Sequence, residues 1–213
     1  MKTELIKIKG SWEDVVNRCR ATVGKGELGK EPSTAFKRNI LIAEHSPIRE
    51  IHISWVWRGI KSWVATHWVR HMWECYVKTQ RTDRTGVNRD ELPQSALVDF
   101  HGEANPQHTI DTWRKRLCRQ ASPETRELAE DFKAFLRDPE PEWSDALVPN
   151  CVYRCGCPEL QSCGYWDRLV KETNGGIVTP DIQERYDLYN ICFYGHRVAR
   201  QMARGKGAPD EEG

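Results

Sequence analysis

Four cysteines, Cys151, Cys155, Cys157 and Cys163, fall within thirteen residues and spell Cys-x3-Cys-x-Cys-x5-Cys. Thiolates at that density can hold zinc tetrahedrally or carry an iron–sulfur cluster. The spacing matches neither paired Cys-x2-Cys knuckles nor the common ferredoxin runs. Partly buried thiols, or a redox-sensitive pair such as Cys155 and Cys157, are therefore the plain alternative. Gly156, Pro158 and Gly164 call for a tight, looped backbone there. Cys19, Cys75, Cys118 and Cys192 are scattered, as buried, reduced cytosolic thiols usually are. A second concentration of chemistry is His67, Arg70 and His71. The arginine fork can give two parallel donors to a phosphate or a carbonyl, and an imidazole can donate or accept at the edge of a heterocycle. The bland alternative is a surface arginine beside a satisfied core histidine.

These residues must be positioned by the elements around them. Ile51, Ile53, Trp55 and Trp57 alternate with His52, Ser54, Val56 and Arg58, which predicts a strand with one strongly apolar face. Gly59 is expected to break it. From Ile60 the period becomes helical through Trp63, Val64, His67, Trp68, His71, Met72 and Cys75, predicting a helix of about four turns that carries Arg70 and His71. Upstream, Ile6 and Ile8 suggest a short strand ending at Gly10. Ser11 caps a helix to about Arg20, and Ser33 or Thr34 caps another through Ala43, before Ser46-Pro47. Residues 81–109 are polar and turn-rich and read as a long loop. Helices return at about 110–119, from Ser122-Pro123 to near Arg137, at 165–171 and at 182–202, with Asn174-Gly175-Gly176 as a turn. The mixture is α+β. Trp55, Trp57, Trp63, Trp68 and Trp73 could stack on a flat ligand, but their spacing favours core or subunit interface.

Composition narrows the classes. A chain of 213 residues with 38% hydrophobic content fits one domain over residues 1–205, followed by a disordered tail at 206–213. Lys plus Arg at 32 against Asp plus Glu at 31 supplies no overall basic face for nucleic acid or a membrane surface, so local clusters must hold any anion. No apolar run approaches the roughly 18 residues of a membrane span, and the opening MKTELIKIKG lacks a signal-peptide core, so a cytoplasmic location is expected. No Gly-rich phosphate loop or His-Glu-x-x-His is present, and Gly24-Lys25-Gly26 is a poor substitute for the former.

The segment SPIREIHISWVWRGIKSWVATHWVRH, residues 46–71, resembles the central signature of the flavin-dependent thymidylate synthases, with Ser46-Pro47, Arg58-Gly59 and Arg70-His71 in register. Weaker likeness extends over residues 1–165, at Cys19–Val23 and Leu147-Val148-Pro149. The resemblance implies a central antiparallel sheet flanked by long helices, and a homotetramer whose subunits together build sites for FAD and dUMP. NADPH would supply reducing equivalents through the flavin, and methylenetetrahydrofolate the carbon. Carried over residue by residue, Arg70 and His71 would contact flavin and nucleotide, and His67 stands where the family usually has a glutamine near the pyrimidine. The sequence departs from the family at Met72, the third residue of the family's Arg-His-Arg. Lys78, Gln80 and Thr82 stand at its acidic, serine and arginine positions. Arg81 or Arg84 could take the phosphate if the turn slips, with Lys78 adding charge. The competing expectation is a non-catalytic nucleotide-binding descendant with a Cys-held metal.

Overall fold

The strand predicted around Trp55 forms, and Gly59 bends it without ending it. In the computed structural model, which describes residues 2–205 and side chains as far as residue 199, strand β2 runs His52–Lys61. It lies between β1 (Thr3–Lys9) and β4 (Leu97–Ala104), and β3 (Glu74–Val77) closes the far edge. The sheet order is β1-β2-β4-β3, with every neighbour antiparallel. Gly59 takes φ of +61°, which side chains disfavour, and produces a register shift between Trp57 and Ile60 while its N–H donates to Asp99 Oδ1 at 2.9 Å. Nor is only one face apolar: Ile53, Trp55 and Trp57 are buried, and so are Ser54 and Val56.

The helices are α1 (Trp12–Ala21), α2 (Thr34–Ala43), α3 (Ser62–Trp68), α4 (Thr82–Thr85), α5 (Pro106–Arg116), α6 (Pro123–Leu136), α7 (Pro141–Ala146), α8 (Asn150–Tyr153), α9 (Tyr165–Asn174) and α10 (Ile182–Gly205). Ser11 accepts from Asp14 N–H and Ser33 from Phe36 N–H, each relieving an orphan donor at a helix start as expected. Ser46–Glu50 is a 3-10 turn. The predicted tail at 206–213 lies outside the described residues.

Two expectations are overturned. The long helix from Ile60 to Cys75 is only α3, after which the chain turns and Cys75 pairs with Gly102 in β3. Packing overrides the period here: Trp73 stacks on Trp55 at 4.8 Å and 23°, drawing the backbone to the sheet. The supposed loop 81–109 contains α4, β4 and the start of α5. Val98, Phe100, Gly102 and Ala104 are its buried positions, and two of these are small. Gly102 is small for a reason: a Cβ there would lie 2.4 Å from the Trp55 ring.

The chain divides into two compact units, residues 1–149 and 150–213. In the first, Trp55, Trp57, Trp68, Trp113 and Phe132 are fully buried and interlock, with centroids 4.5 Å apart for Trp113–Phe132 and 4.7 Å for Trp57–Trp68. The Nε1 groups of Trp55, Trp68 and Trp73 have no hydrogen-bond partner, so ring packing alone holds that part of the layer. Elsewhere Trp113 donates to the Ala129 carbonyl at 2.9 Å, and Trp57 to Thr3 Oγ1 at 3.0 Å. In the second unit, Trp166, Leu169 and Val170 of α9 are buried, as are Tyr186 and Tyr189 of α10. Buried Arg185 donates to the carbonyls of Val152 (3.0 Å), Tyr153 (3.2 Å), Thr179 (3.2 Å) and Pro180.

Candidate functional site

Helix α3 begins without a side-chain cap. Its first N–H groups are met by the loop before β4, Ser62 N–H donating to the Ala96 carbonyl (2.8 Å) and Trp63 N–H to the Gln94 carbonyl (3.2 Å). The helix is thus fixed to the sheet at its start and by Val64 and Trp68 inside the core. His67 is left on its flank, with Arg70 and His71 in the turn beyond.

The structure brings His67, Arg70 and His71 together around a residue the sequence did not single out, Arg116 in the last turn of α5. Arg116 Nε donates to His71 Nε2 at 2.9 Å, and its terminal nitrogen donates to the His67 carbonyl at 2.6 Å, while the guanidinium lies over Trp68, 5.9 Å from the ring centroid. An imidazole nitrogen that accepts cannot carry the proton, so His71 is neutral with its hydrogen on Nδ1. Burial first, and the adjacent Arg116 charge second, hold its pKa at about 4. His67 is lowered as well, by burial and then by Arg116 and Arg70, with Glu124 opposing. Its Nδ1 lies 2.9 Å from Thr125 Oγ1, which accepts from Ser122 at 2.7 Å. If Thr125 donates to Nδ1, Nε2–H is the donor His67 has left for a ligand. Arg116 is depressed by burial and by Arg70, so the two guanidinium groups feel one another.

The other residues singled out in the sequence are distributed differently. Gln80 lines a cleft of about 420 Å³ beside α3, walled by Trp63, Thr66, Val69, Val77 and Val98, and the Trp63 ring lies 5.5 Å from that of His67. Arg70 is the residue after cleft-lining Val69. Arg81 grips Asp83 through two bonds (3.0 and 2.8 Å), Arg84 lies 3.7 Å from the same carboxylate, and both are exposed. Lys78 is exposed and fixed through its backbone N–H to the Asp99 carbonyl. Cys151, Cys155, Cys157 and Cys163 are half-buried. No three of them bring their sulfurs within 4.8 Å of one another, and Cys155, at φ +58°, directs its thiol at the Thr179 carbonyl. Arg116 sits in the run Arg114-Lys115-Arg116, which looks solvated in the sequence; nothing local marks the third member as the partner of a histidine 45 residues earlier.

The arrangement is a four-stranded antiparallel sheet backed by helices, with a basic, histidine-bearing cluster at the end of α3. Its fold is that of the flavin-dependent thymidylate synthases. The flavin-dependent thymidylate synthase ThyX of Helicobacter pylori, complexed with FAD and dUMP, superposes with a TM-score of 0.57 at 12% identity, over 70% of this chain and 100% of that one. The UMP/dUMP methylase PolB of Streptomyces cacaoi, bound with 5-Br dUMP, superposes with 0.56 at 14% identity, over 68% of this chain and 93% of that one. With 5-Br UMP bound, PolB gives 0.52 at 14% identity. No family model and no curated protein matches the sequence. The likeness is therefore one of fold, and the share covered is about the length of the first unit. Among the described residues no helix is long and apolar enough to cross a membrane.

Proposed function

We propose that this chain is a flavin-dependent enzyme of pyrimidine-nucleotide metabolism. It would catalyse the reductive methylation of dUMP, or a related one-carbon transfer, with FAD, NADPH and methylenetetrahydrofolate. The observation that carries this reading is the meeting of Arg70 and Arg116 with two neutral imidazoles on a fold shared with proteins that hold dUMP and UMP analogues. The donor set fits such ligands. Two guanidinium groups whose mutual repulsion depresses one of them are relieved by an anion, and phosphate or an electron-rich ring carbonyl supplies the charge. Arg70 would hold phosphate or a flavin carbonyl, His71 would present Nδ1–H to the flavin edge, and His67 would read the base. Burial first, and Arg116 second, keep both histidines uncharged, while Arg116 orients the His71 ring and Thr125 the His67 ring. The apolar cleft under Trp63 and Val69, with the Gln80 amide at its wall, suits a flat heterocycle. Lys78, Arg81 and Arg84 are the phosphate candidates on the following segment, and Arg81 would have to exchange Asp83 for the ligand. When bound, the flavin supplies the reducing equivalents.

A homotetramer is part of the proposal. Edge strand β3 leaves Tyr76 68% exposed, with Met72 at 88% and Leu97 at 65% nearby in the chain or sheet, and such an edge favours pairing with a second copy. Met72 also supports a second reading, a repurposed nucleotide binder without turnover, because an exposed thioether stands where the resembled family has arginine. Dependence of NADPH oxidation on dUMP separates the two. Turnover that Arg70→Ala abolishes at intact fold supports the first reading. Tight dUMP binding without NADPH oxidation supports the second, and nucleotide binding unaffected by Arg70→Ala would overturn the site.

A further inference from the structure

Within the second unit, and apart from the basic cluster, one group of three ligating side chains converges among the described residues: Glu172 on α9 with Cys192 and His196 on α10. We propose that these three bind a Zn²⁺ ion, with water at the remaining coordination position, and that the ion ties α9 to α10. Cys192 and His196 are four residues apart on one helix, so both project from the same face. Cys192 Sγ lies 3.7 Å from His196 Nδ1 and 3.9 Å from Glu172 Oε2, and the three ligand atoms all lie within 4.8 Å of one another. In a tetrahedral zinc site, bonds of about 2.3 Å to sulfur and about 2.1 Å to nitrogen or oxygen separate neighbouring donors by about 3.6 Å. The observed spacing is thus within a few tenths of an ångström of a coordination edge on both sides of the sulfur.

The donor chemistry selects the ion. Thiolate, imidazole and carboxylate together are a zinc set, whereas magnesium and calcium take oxygen donors. Placement agrees: Leu169, Val170, Tyr186 and Tyr189 form the buried part of these helices, while Glu172 and His196 are exposed and Cys192 half-buried, so an ion can enter from solvent. The clustered cysteines 151–163, the obvious metal ligands by sequence, do not converge in this way. Coordination requires the Cys192 thiolate, so binding releases a proton.

The test uses the full chain, stripped with a chelator and titrated with Co²⁺ as a spectroscopic probe before Zn²⁺. One equivalent of cobalt should develop the visible bands of a tetrahedral ion together with a near-ultraviolet thiolate charge-transfer band, and zinc should displace both. Cys192→Ser should abolish the charge-transfer band, and His196→Ala should weaken cobalt binding more than tenfold. A Cys155→Ser/Cys157→Ser variant should leave both signals unchanged. Bands that survive Cys192→Ser, or vanish in the Cys155/Cys157 variant, would assign the metal to the cysteine run and overturn the proposal, as would no bands in the unaltered chain. Far-UV circular dichroism accompanies each variant, and His196→Ala decides the matter where Cys192→Ser does not fold.

Discussion

Helix α3 serves two neighbouring regions that are stabilised in opposite ways. Inward, Val64 and Trp68 enter the aromatic layer of Trp55, Trp57, Trp113 and Phe132, where every ring is buried and close-packed. On its flank and in the turn that follows, His67, Arg70 and His71 gather around Arg116, where burial and like charge push the pKa of both imidazoles and of the Arg116 guanidinium downward. The layer carries no titratable group. The cluster is electrostatically dissatisfied, and the packing beside it holds it in place. Such a contrast is what a binding site needs: donors fixed by a rigid support, with unspent attraction for an anion.

Truncating the support should have the largest effect. Trp55→Ala removes a fully buried ring that contacts Trp57, Trp73, Trp113 and Phe132, and should cost roughly 3–5 kcal/mol in denaturant unfolding. A loss under about 1 kcal/mol would mean the layer is not the support. Acid comes next. His71 binds its proton at about 4 in the folded chain and near 6.5 when unfolded, so between those values the unfolded chain holds more protons. Stability is therefore full above about pH 6.5 and falls as the pH drops through 4, by about 1–2 kcal/mol once solvent screening of the half-buried ring is allowed for. Arg116→Met should raise the His71 pKa part of the way toward 6.5, followed by histidine NMR, and make the acid limb shallower, because burial, the larger cause, remains. Gly102→Ala, which sets a methyl against the Trp55 ring, should cost roughly 1–3 kcal/mol without moving the His71 titration. Smallest is Arg81→Ala, an exposed pair with Asp83, which should change stability by no more than about 0.5 kcal/mol.

The supporting layer and the cluster were unequally legible in the sequence. Strand β2 announced itself through alternating large residues, and α1, α2 and α6 through serine at their starts. Strand β4 alternates as strictly, but two of its inward positions are Gly102, where Trp55 fills the space, and Ala104, and small residues carry little hydrophobic signal. The end of α3 was hidden for the same kind of reason: the period continues to Cys75, while the stacking of Trp73 on Trp55 decides where the chain leaves the helix. Of the cluster, His67, Arg70 and His71 were readable as a local group, whereas Arg116 joins it only through the packing of α5. Cys192 and His196 did carry a local sign, their spacing of four on a helix, but Glu172 becomes their neighbour only when α9 meets α10.

The most direct test of the central claim is the visible absorption spectrum of the full chain after FAD and dUMP are added and excess ligand is removed by gel filtration, beside Arg70→Ala and Arg116→Met. The account predicts flavin absorbance retained by the unaltered chain, strengthened by dUMP, and lost in both variants at unchanged far-UV circular dichroism. No retained flavin in the unaltered chain, or equal retention in all three, would contradict it.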